Sequence, residues 1–252
     1  MADVKNALIT GAAKRLGRAI ALDLARHGWN VAIHYNTSDR EARVTVEDAH
    51  TAGAKAVSVK ANLAREEEAA ELVSRAAREL GPMTALINSA SVFENDQWYS
   101  ADTASWDKHL NVNLRAPLVL ARDFAKQLPR DQKGAIVNLL DQRLFKPVPN
   151  FLSYGVSRAG LHWLTTTLAQ ALAPRIRVNA VAPGPTLRGA RQSAAQFERE
   201  RRSTILGHGS DPQDICDTVR YLLDARAVTG QTIVVDGGQH LIWNLADTAP
   251  EE

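Results

Sequence analysis

The sequence predicts a doubly wound α/β fold, a single-domain Rossmann architecture with a parallel seven-stranded sheet and helices on both faces. Three observations carry that expectation. Short β-branched runs alternate with longer helical stretches along the chain, the pattern of a parallel sheet covered on both sides. The first run passes directly into a turn of small residues that opens a helix, Thr10-Gly11-Ala12-Ala13-Lys14-Arg15-Leu16-Gly17. No Ser/Gly linker, repeat or composition break divides the 252 residues, a length at which α/β sheets are commonly one domain.

The candidate strands are residues 7–10, 30–35, 56–59, 84–88, 134–140, 177–181 and 232–235, with helical patterns in most gaps. Ser38-Asp39-Arg40-Glu41 reads as a capping box: the Ser38 hydroxyl accepts from an orphan N–H while Glu41 reaches back. Asp211-Pro212 places a cap before a proline at the first helical position. The domain is expected over residues 1–245. Residues 246–252, polar and acidic, are expected to fray.

Composition removes several function classes. Lys and Arg total 30 against 28 Asp and Glu, so no strong field favours nucleic acid or a membrane surface. No window reaches the roughly 18 apolar residues of a membrane span, and no signal-peptide pattern precedes Ala7-Leu8-Ile9, so a cytoplasmic protein is expected. The single Cys216 reads as a small buried hydrophobe. The seven histidines lack metal-ligand spacing, so no metal is expected. What remains is a small-molecule substrate.

Ligands of open parallel sheets bind beyond the carboxyl ends of the strands. Two loops leave that edge, residues 90–103 after the fourth strand and 183–209 after the sixth, and both are candidate substrate walls. The second is long enough for a lid, with Gly184, Gly189, Gly207 and Gly209 as candidate hinges. At the first turn, backbone N–H groups and the helix N-terminus meet a pyrophosphate. The second strand then bears on cofactor choice. An NAD site places Asp or Glu about 20 residues on, against the ribose 2′-hydroxyl. Here the strand ends His34-Tyr35-Asn36-Thr37-Ser38 without a carboxylate, while Arg15 offers a fixed positive fork for a 2′-phosphate. NADP(H) is the expected cofactor, with further donors between Asn36 and Ser38.

These motifs resemble the short-chain dehydrogenase/reductase family over nearly the whole chain. The family's turn is Thr-Gly-x-x-x-Gly-x-Gly, and here Arg15 stands for the middle glycine. That substitution, with Thr10 to Arg18 and His34-Tyr35, is similar to the pteridine reductase branch. Asn88-Ser89-Ala90 varies the family's Asn-Asn-Ala-Gly element, and Pro183-Gly184, Val228 to Gln231 and Val235 to Gly238 are similar to its C-terminal landmarks. The resemblance implies cofactor contacts from Gly11, Leu16, Gly17, His34, Tyr35, Asn36, Ser38, Asn62, Leu63, Asn88, Ser89, Ala90, Pro183 and Gly184, and a homotetramer.

The family's Tyr-x-x-x-Lys motif matches Tyr154-Gly155-Val156-Ser157-Arg158. Residues four apart share a helix face, so both heads point into one site. The resemblance makes Tyr154 the proton donor to the group being reduced, with the cation at Arg158 favouring the ionised phenol and binding the cofactor ribose. Arg158 is a departure: it keeps the charge but cannot release a proton. A second departure is Asp141, thirteen positions before Tyr154, where most members carry serine and pteridine reductases carry aspartate. A protonated Asp141 beside a phenol donates to a ring nitrogen. Alternatively, Asp141 caps the following loop or pairs with Arg143.

Phe93 resembles that branch's pterin-stacking phenylalanine, and Ser91 offers a hydrogen bond to the ring or to a cofactor phosphate. Phe93 reads equally as a hydrophobic anchor for its loop. Asn113 resembles the helix asparagine whose carbonyl holds a relay water, and Pro117 lacks the N–H that would bond that carbonyl. The expectation is an NADPH-dependent reductase of a pterin-like heterocycle. Its rivals are a carbonyl reductase of the same family and a non-catalytic NADP(H)-binding protein. Trp98, Trp106, Trp163 and Trp243, and the stripe Leu161, Leu164, Leu168 and Leu172, read as packing or interface residues.

Overall fold

The computed structural model describes residues 5–189 and 192–243. The expected tail, residues 246–252, lies outside them. Among the described residues, seven strands form one parallel sheet in the order β3-β2-β1-β4-β5-β6-β7. They are β1 (Asn6–Ile9), β2 (Asn30–Tyr35), β3 (Ala56–Lys60), β4 (Ala85–Asn88), β5 (Gly134–Leu139), β6 (Ile176–Pro183) and β7 (Thr232–Val235). Ile9 lies beside Ile33 of β2 and Ile87 of β4, so the chain order reverses direction at β1. That reversal opens the crevice in which such sheets bind ligands.

β2 and β7 have the expected bounds, and the other strand ends differ from expectation by one or two residues, for local reasons. Thr10 leaves β1 because its hydroxyl accepts from the N–H groups of Ser89 and Ala90, at 2.9 and 3.0 Å. This tie stitches the first turn to the end of β4. The β6 strand extends to Pro183, which lies beside Val235 of β7.

Among the described residues, eight α-helices accompany the sheet: α1 (Arg15–Arg26), α2 (Asp39–Thr51), α3 (Glu66–Leu80), α4 (Thr103–Leu110), α5 (Ala116–Gln127), α6 (Leu152–Leu172), α7 (Ala194–Arg202) and α8 (Pro212–Asp224). Strand side chains alternate between two cores. Ile9, Ile33 and Ile87 join Ile20 and Leu24 of α1 and Val219 and Leu222 of α8. Leu8, Leu86 and Ile136 join Leu72 of α3 and Leu120 and Phe124 of α5. Each such buried side chain contributes about 2 kcal/mol of transfer free energy.

The capping box at Ser38 does not form. The Ser38 side chain makes no cap bond, and Glu41 turns instead to Lys14 at 2.8 Å, where an ammonium competes with a backbone amide for its carboxylate. The start of α8 follows expectation, with Pro212 in its first turn. The Asp214 carboxylate accepts from the Asp211 N–H at 2.7 Å. Cys216 is buried, and desolvation pushes its thiol up to about 12.

Candidate active site

A cleft of about 1160 Å³ opens over the carboxyl ends of the central strands, between the segment after β4 and the loop carrying α7. Its floor is the turn between β1 and α1. Gly11 has φ +65°, and a Cβ there would lie 2.9 Å from the Cα of Ala90. The glycine therefore permits the close approach of two loops that a phosphate cradle requires. Arg15 has φ +54°, the backbone conformation that a glycine adopts without strain.

His34 braces this turn from below. The Gly11 N–H donates to its Nδ1 at 3.0 Å, so its proton lies on Nε2, 3.0 Å from the Ala61 carbonyl. Burial pulls its pKa down to about 4, and the ring is neutral. With both nitrogens engaged, His34 shapes the cofactor site through Gly11.

Arg15 does not turn toward the tip of β2. Its guanidinium donates to the Arg188 carbonyl at 2.8 Å and the Leu187 carbonyl at 3.2 Å, tying the phosphate turn to the expected lid. Lys14 pairs with Glu41 of α2 and lines a second, smaller cleft together with Arg15, Arg18 and Arg40. Asn36 lines the main cleft, but Tyr35 and Ser38 do not. The Tyr35 hydroxyl donates to Asp39 Oδ1 at 2.6 Å. Asn88 is likewise outside the lining, buried and bonded to Asn138 Oδ1 at 2.8 Å. The other expected cofactor residues, from Gly11 through Asn62 and Leu63 to Ser89, Ala90, Pro183 and Gly184, do line the cleft.

Tyr154 lies in the first turn of α6, and its hydroxyl donates to Asp141 Oδ2 at 2.8 Å. Asp141 also accepts from Arg143, from its N–H at 2.8 Å and its Nη1 at 3.2 Å. The carboxylate therefore both caps the following turn and pairs with Arg143, and in this arrangement it accepts from Tyr154. Three donors converge on its oxygens, the Tyr154 hydroxyl and the N–H and Nη1 of Arg143. One turn along α6, Arg158 is buried with its guanidinium carbon 5.2 Å from the Tyr154 ring centroid. Its Nη1 donates to the Leu139 carbonyl at 3.0 Å. Burial, the largest influence, pushes the Tyr154 phenol above its ordinary value, Arg158 pulls it down, and Asp141 raises it. The cation at Arg158 thus acts in the expected direction, toward the ionised phenol, and burial outweighs it.

Asn113 stands beneath this pair rather than in the cleft. Its side chain accepts from the Val92 N–H at 2.8 Å and donates to the Val92 carbonyl at 2.9 Å and to Ser157 Oγ at 3.1 Å. It belongs to a π-turn, Asn111–Arg115, that ends just before Pro117. Phe93 is 49% exposed at the cleft wall, stacked on Phe151 with centroids 4.4 Å apart and edge-on to Tyr154 at 4.7 Å. Arg143 lies 5.4 Å from the Phe93 and Phe151 centroids. The Ser91 hydroxyl donates to the Val92 carbonyl at 3.1 Å.

A family profile described as Enoyl-(Acyl carrier protein) reductase matches residues 11–240. The chain belongs to the short-chain dehydrogenase/reductase family. It is 32% identical to the 3-oxoacyl-(acyl-carrier-protein) reductase FabG of Staphylococcus epidermidis, over 94% of this chain and 99% of the relative. It is also 30% identical to a short-chain type dehydrogenase/reductase of Picea abies, over 92% and 91%. Among solved structures it is similar to FolM alternative dihydrofolate reductase 1 of Brucella suis in complex with NADP. That likeness has a TM-score of 0.95 at 45% identity, covering 99% of this chain and 100% of the other. The Brucella canis counterpart, also complexed with NADP, gives 0.94 and 45%, over 97% of each chain.

This short-chain dehydrogenase/reductase is an oxidoreductase, and several of its cleft residues escape sequence reasoning. Phe151, Arg143, Lys14, Glu200 and Gln239 all line the site. Lys14 carried a readable signal as the cation beside Arg15 in the turn. Glu200 accepts from Gln192 Nε2 at 2.8 Å, a contact within the lid that no periodicity encodes. Two candidate lid hinges are close-packed instead: a Cβ at Gly184 would meet the Asp236 backbone at 2.7 Å, and one at Gly209 the Pro185 carbonyl at 2.6 Å.

Proposed function

We propose that this protein is an NADPH-dependent reductase of a pterin-like heterocycle, of the dihydropterin or dihydrofolate type. The hydrogen bond from Tyr154 to Asp141, set beneath Phe93, carries this reading. When bound, the dinucleotide supplies the hydride. The cradle around Gly11 and Gly17, the N-terminus of α1 and the cation of Lys14 suit its phosphates. Lys14 and Arg40 would meet the 2′-phosphate, a role assigned from the sequence to Arg15. Two solved relatives at 45% identity are complexes with NADP.

Tyr154 holds a proton on its hydroxyl at neutral pH and gives it to the ring nitrogen as hydride arrives at the adjacent carbon. Asp141 orients that hydroxyl. Its carboxylate would repel the oxyanion that develops from a ketone, whereas an amine product carries no such charge. Phe93 and Phe151 provide flat walls on which a fused ring stacks, gaining on the order of 1 kcal/mol. The Asn113 carbonyl, which Pro117 cannot bond, would hold a relay water. Exposed Leu118 on α5 and Val156 and Trp163 on α6 support assembly as a homotetramer.

The FabG likeness favours a second reading, reduction of a ketoacyl carbonyl. Replacing Asp141 with asparagine separates the two. Under the pterin reading, Asp141→Asn lowers kcat on a dihydropterin by about 100-fold and leaves ketone turnover unchanged or raised. Equal loss on both, or no loss on the pterin, contradicts it.

A further inference from the structure

The helix that carries Tyr154 has no cap of its own. Phe151, the residue before α6, adopts φ +60°, and no side chain of that segment serves as a cap for the first amides. Those N–H groups have no partner within a helix and must find one elsewhere. They find it in the segment that leaves β4. The Phe151 N–H donates to Asn95 Oδ1 at 3.2 Å, the Leu152 N–H to the Asp96 carbonyl at 3.3 Å, and the Ser153 N–H to Asp96 Oδ1 at 3.1 Å.

The Asp96 side chain is satisfied further. Its Oδ2 accepts from the hydroxyls of Ser153 and of Ser105 on α4. Behind Ser153 lies His109, with Nδ1 2.7 Å from Ser153 Oγ and Nε2 accepting from the Glu94 N–H at 3.2 Å. Asp96 is buried, and Ser153 and His109 are fully so. A carboxylate is costly to bury unless donors surround it. Here burial opposes ionisation, but the donors from Ser105 and Ser153 outweigh it and hold the carboxyl below its usual range.

The same segment carries the substrate wall. Phe93, three residues before Asp96, meets the Tyr154 ring edge-on, and the His109 ring lies 6.1 Å from it on another side. Val92 is held by Asn113, which reaches Ser157 of α6. Stacking wall and proton donor are thus joined at both ends of residues 92–96.

We propose that Asp96 is a positioning residue for Tyr154, capping the catalytic helix from across the fold and fixing the phenol against the wall at Phe93. The proposal rests on the reductase reading, so its test includes readouts that need no substrate. Asp96→Ala, Asp96→Asn and Ser153→Ala are compared in the full chain. Three quantities are followed: amide exchange at residues 151–155, phenol titration by difference absorbance against Tyr154→Phe, and kcat alongside the NADPH Kd.

In Asp96→Ala the 151–153 amides should exchange about tenfold faster, as for a lost cap, and the Tyr154 titration should move. The value of kcat should fall about tenfold with the Kd for NADPH unchanged. Asp96→Asn, which keeps an acceptor for the Ser153 N–H, should recover most of the protection and part of kcat. Ser153→Ala, which keeps the backbone bond, gives a milder version should Asp96→Ala fail to fold.

Faster exchange with an unmoved titration and unchanged kcat would reduce Asp96 to a structural tie and overturn the proposal. So would faster exchange spread over the whole chain. If the wild type turned over no substrate, the reductase reading would fail alone. A moved titration with local exchange would then still support the positioning role, and an unmoved one would refute it.

Discussion

Arg158 Nη1 donates to the carbonyl of Leu139 at 3.0 Å, which fixes a cation at the end of β5 and beneath the Tyr154 ring. An arginine in the motif's lysine position therefore has a defined seat. Its fork spans from helix to strand, which a single ammonium does not. Arg158→Lys should retain turnover within about tenfold, because the charge remains. Arg158→Met should lower kcat by about 100-fold or more, because the charge near the phenol and the carbonyl's partner both go. Wild-type kinetics in Arg158→Met would favour a role outside catalysis.

The phenol sets the pH dependence of the two reaction directions. Burial above all raises the Tyr154 pKa beyond its ordinary value of about 10, so the proton is retained across the neutral range. Reductive kcat should show no loss from phenol ionisation between about pH 7 and 9. The reverse reaction, which needs the deprotonated phenol, should rise with pH over the same span. Initial rates in both directions check this, and a reductive rate falling through pH 8 would contradict it.

Cofactor choice should follow Lys14 more than Arg15. Lys14, Arg15, Arg18 and Arg40 all border the basic cleft, but the Arg15 guanidinium is engaged with carbonyls 187 and 188. Lys14→Glu is expected to raise KM for NADPH about tenfold relative to NADH. Arg15→Ala is expected to act mainly on substrate KM through the lid. Measuring both cofactors with both variants separates the roles, and the opposite assignment would restore Arg15 to the 2′-phosphate.

His34 links stability to pH. Its folded pKa is near 4 against an ordinary 6.5, so the unfolded chain binds the proton more readily. Its contribution is fully present above about pH 6.5 and is lost as pH falls toward 4, a swing of about 3 kcal/mol. Urea unfolding at pH 7 and pH 4.5 should show a smaller drop in His34→Gln than in the wild type. Identical drops would remove His34 from the acid sensitivity.

What could be read from sequence was local. Short runs at β1, β4 and β5, alternating with longer helical stretches, identify the sheet, the four-residue spacing puts Tyr154 and Arg158 on one helix face, and Gly11 after β1 marks the turn. What could not be read joins distant segments. Asp96 caps a helix 57 residues away, and Arg15 bonds carbonyls more than 170 residues on. No periodicity carries such contacts. The Ser38 box failed because Lys14 competes for Glu41, and Phe151 escaped notice because its stacking on Phe93 depends on the left-handed turn before α6.

The most direct test is NADPH oxidation by the purified protein with a dihydropterin, dihydrofolate and a panel of ketones, each repeated with NADH. The account predicts turnover of the pterin-type substrates with NADPH preferred. Turnover confined to ketones would contradict the roles given to Asp141 and Phe93, and tight NADPH binding without turnover of any substrate would contradict the enzyme itself.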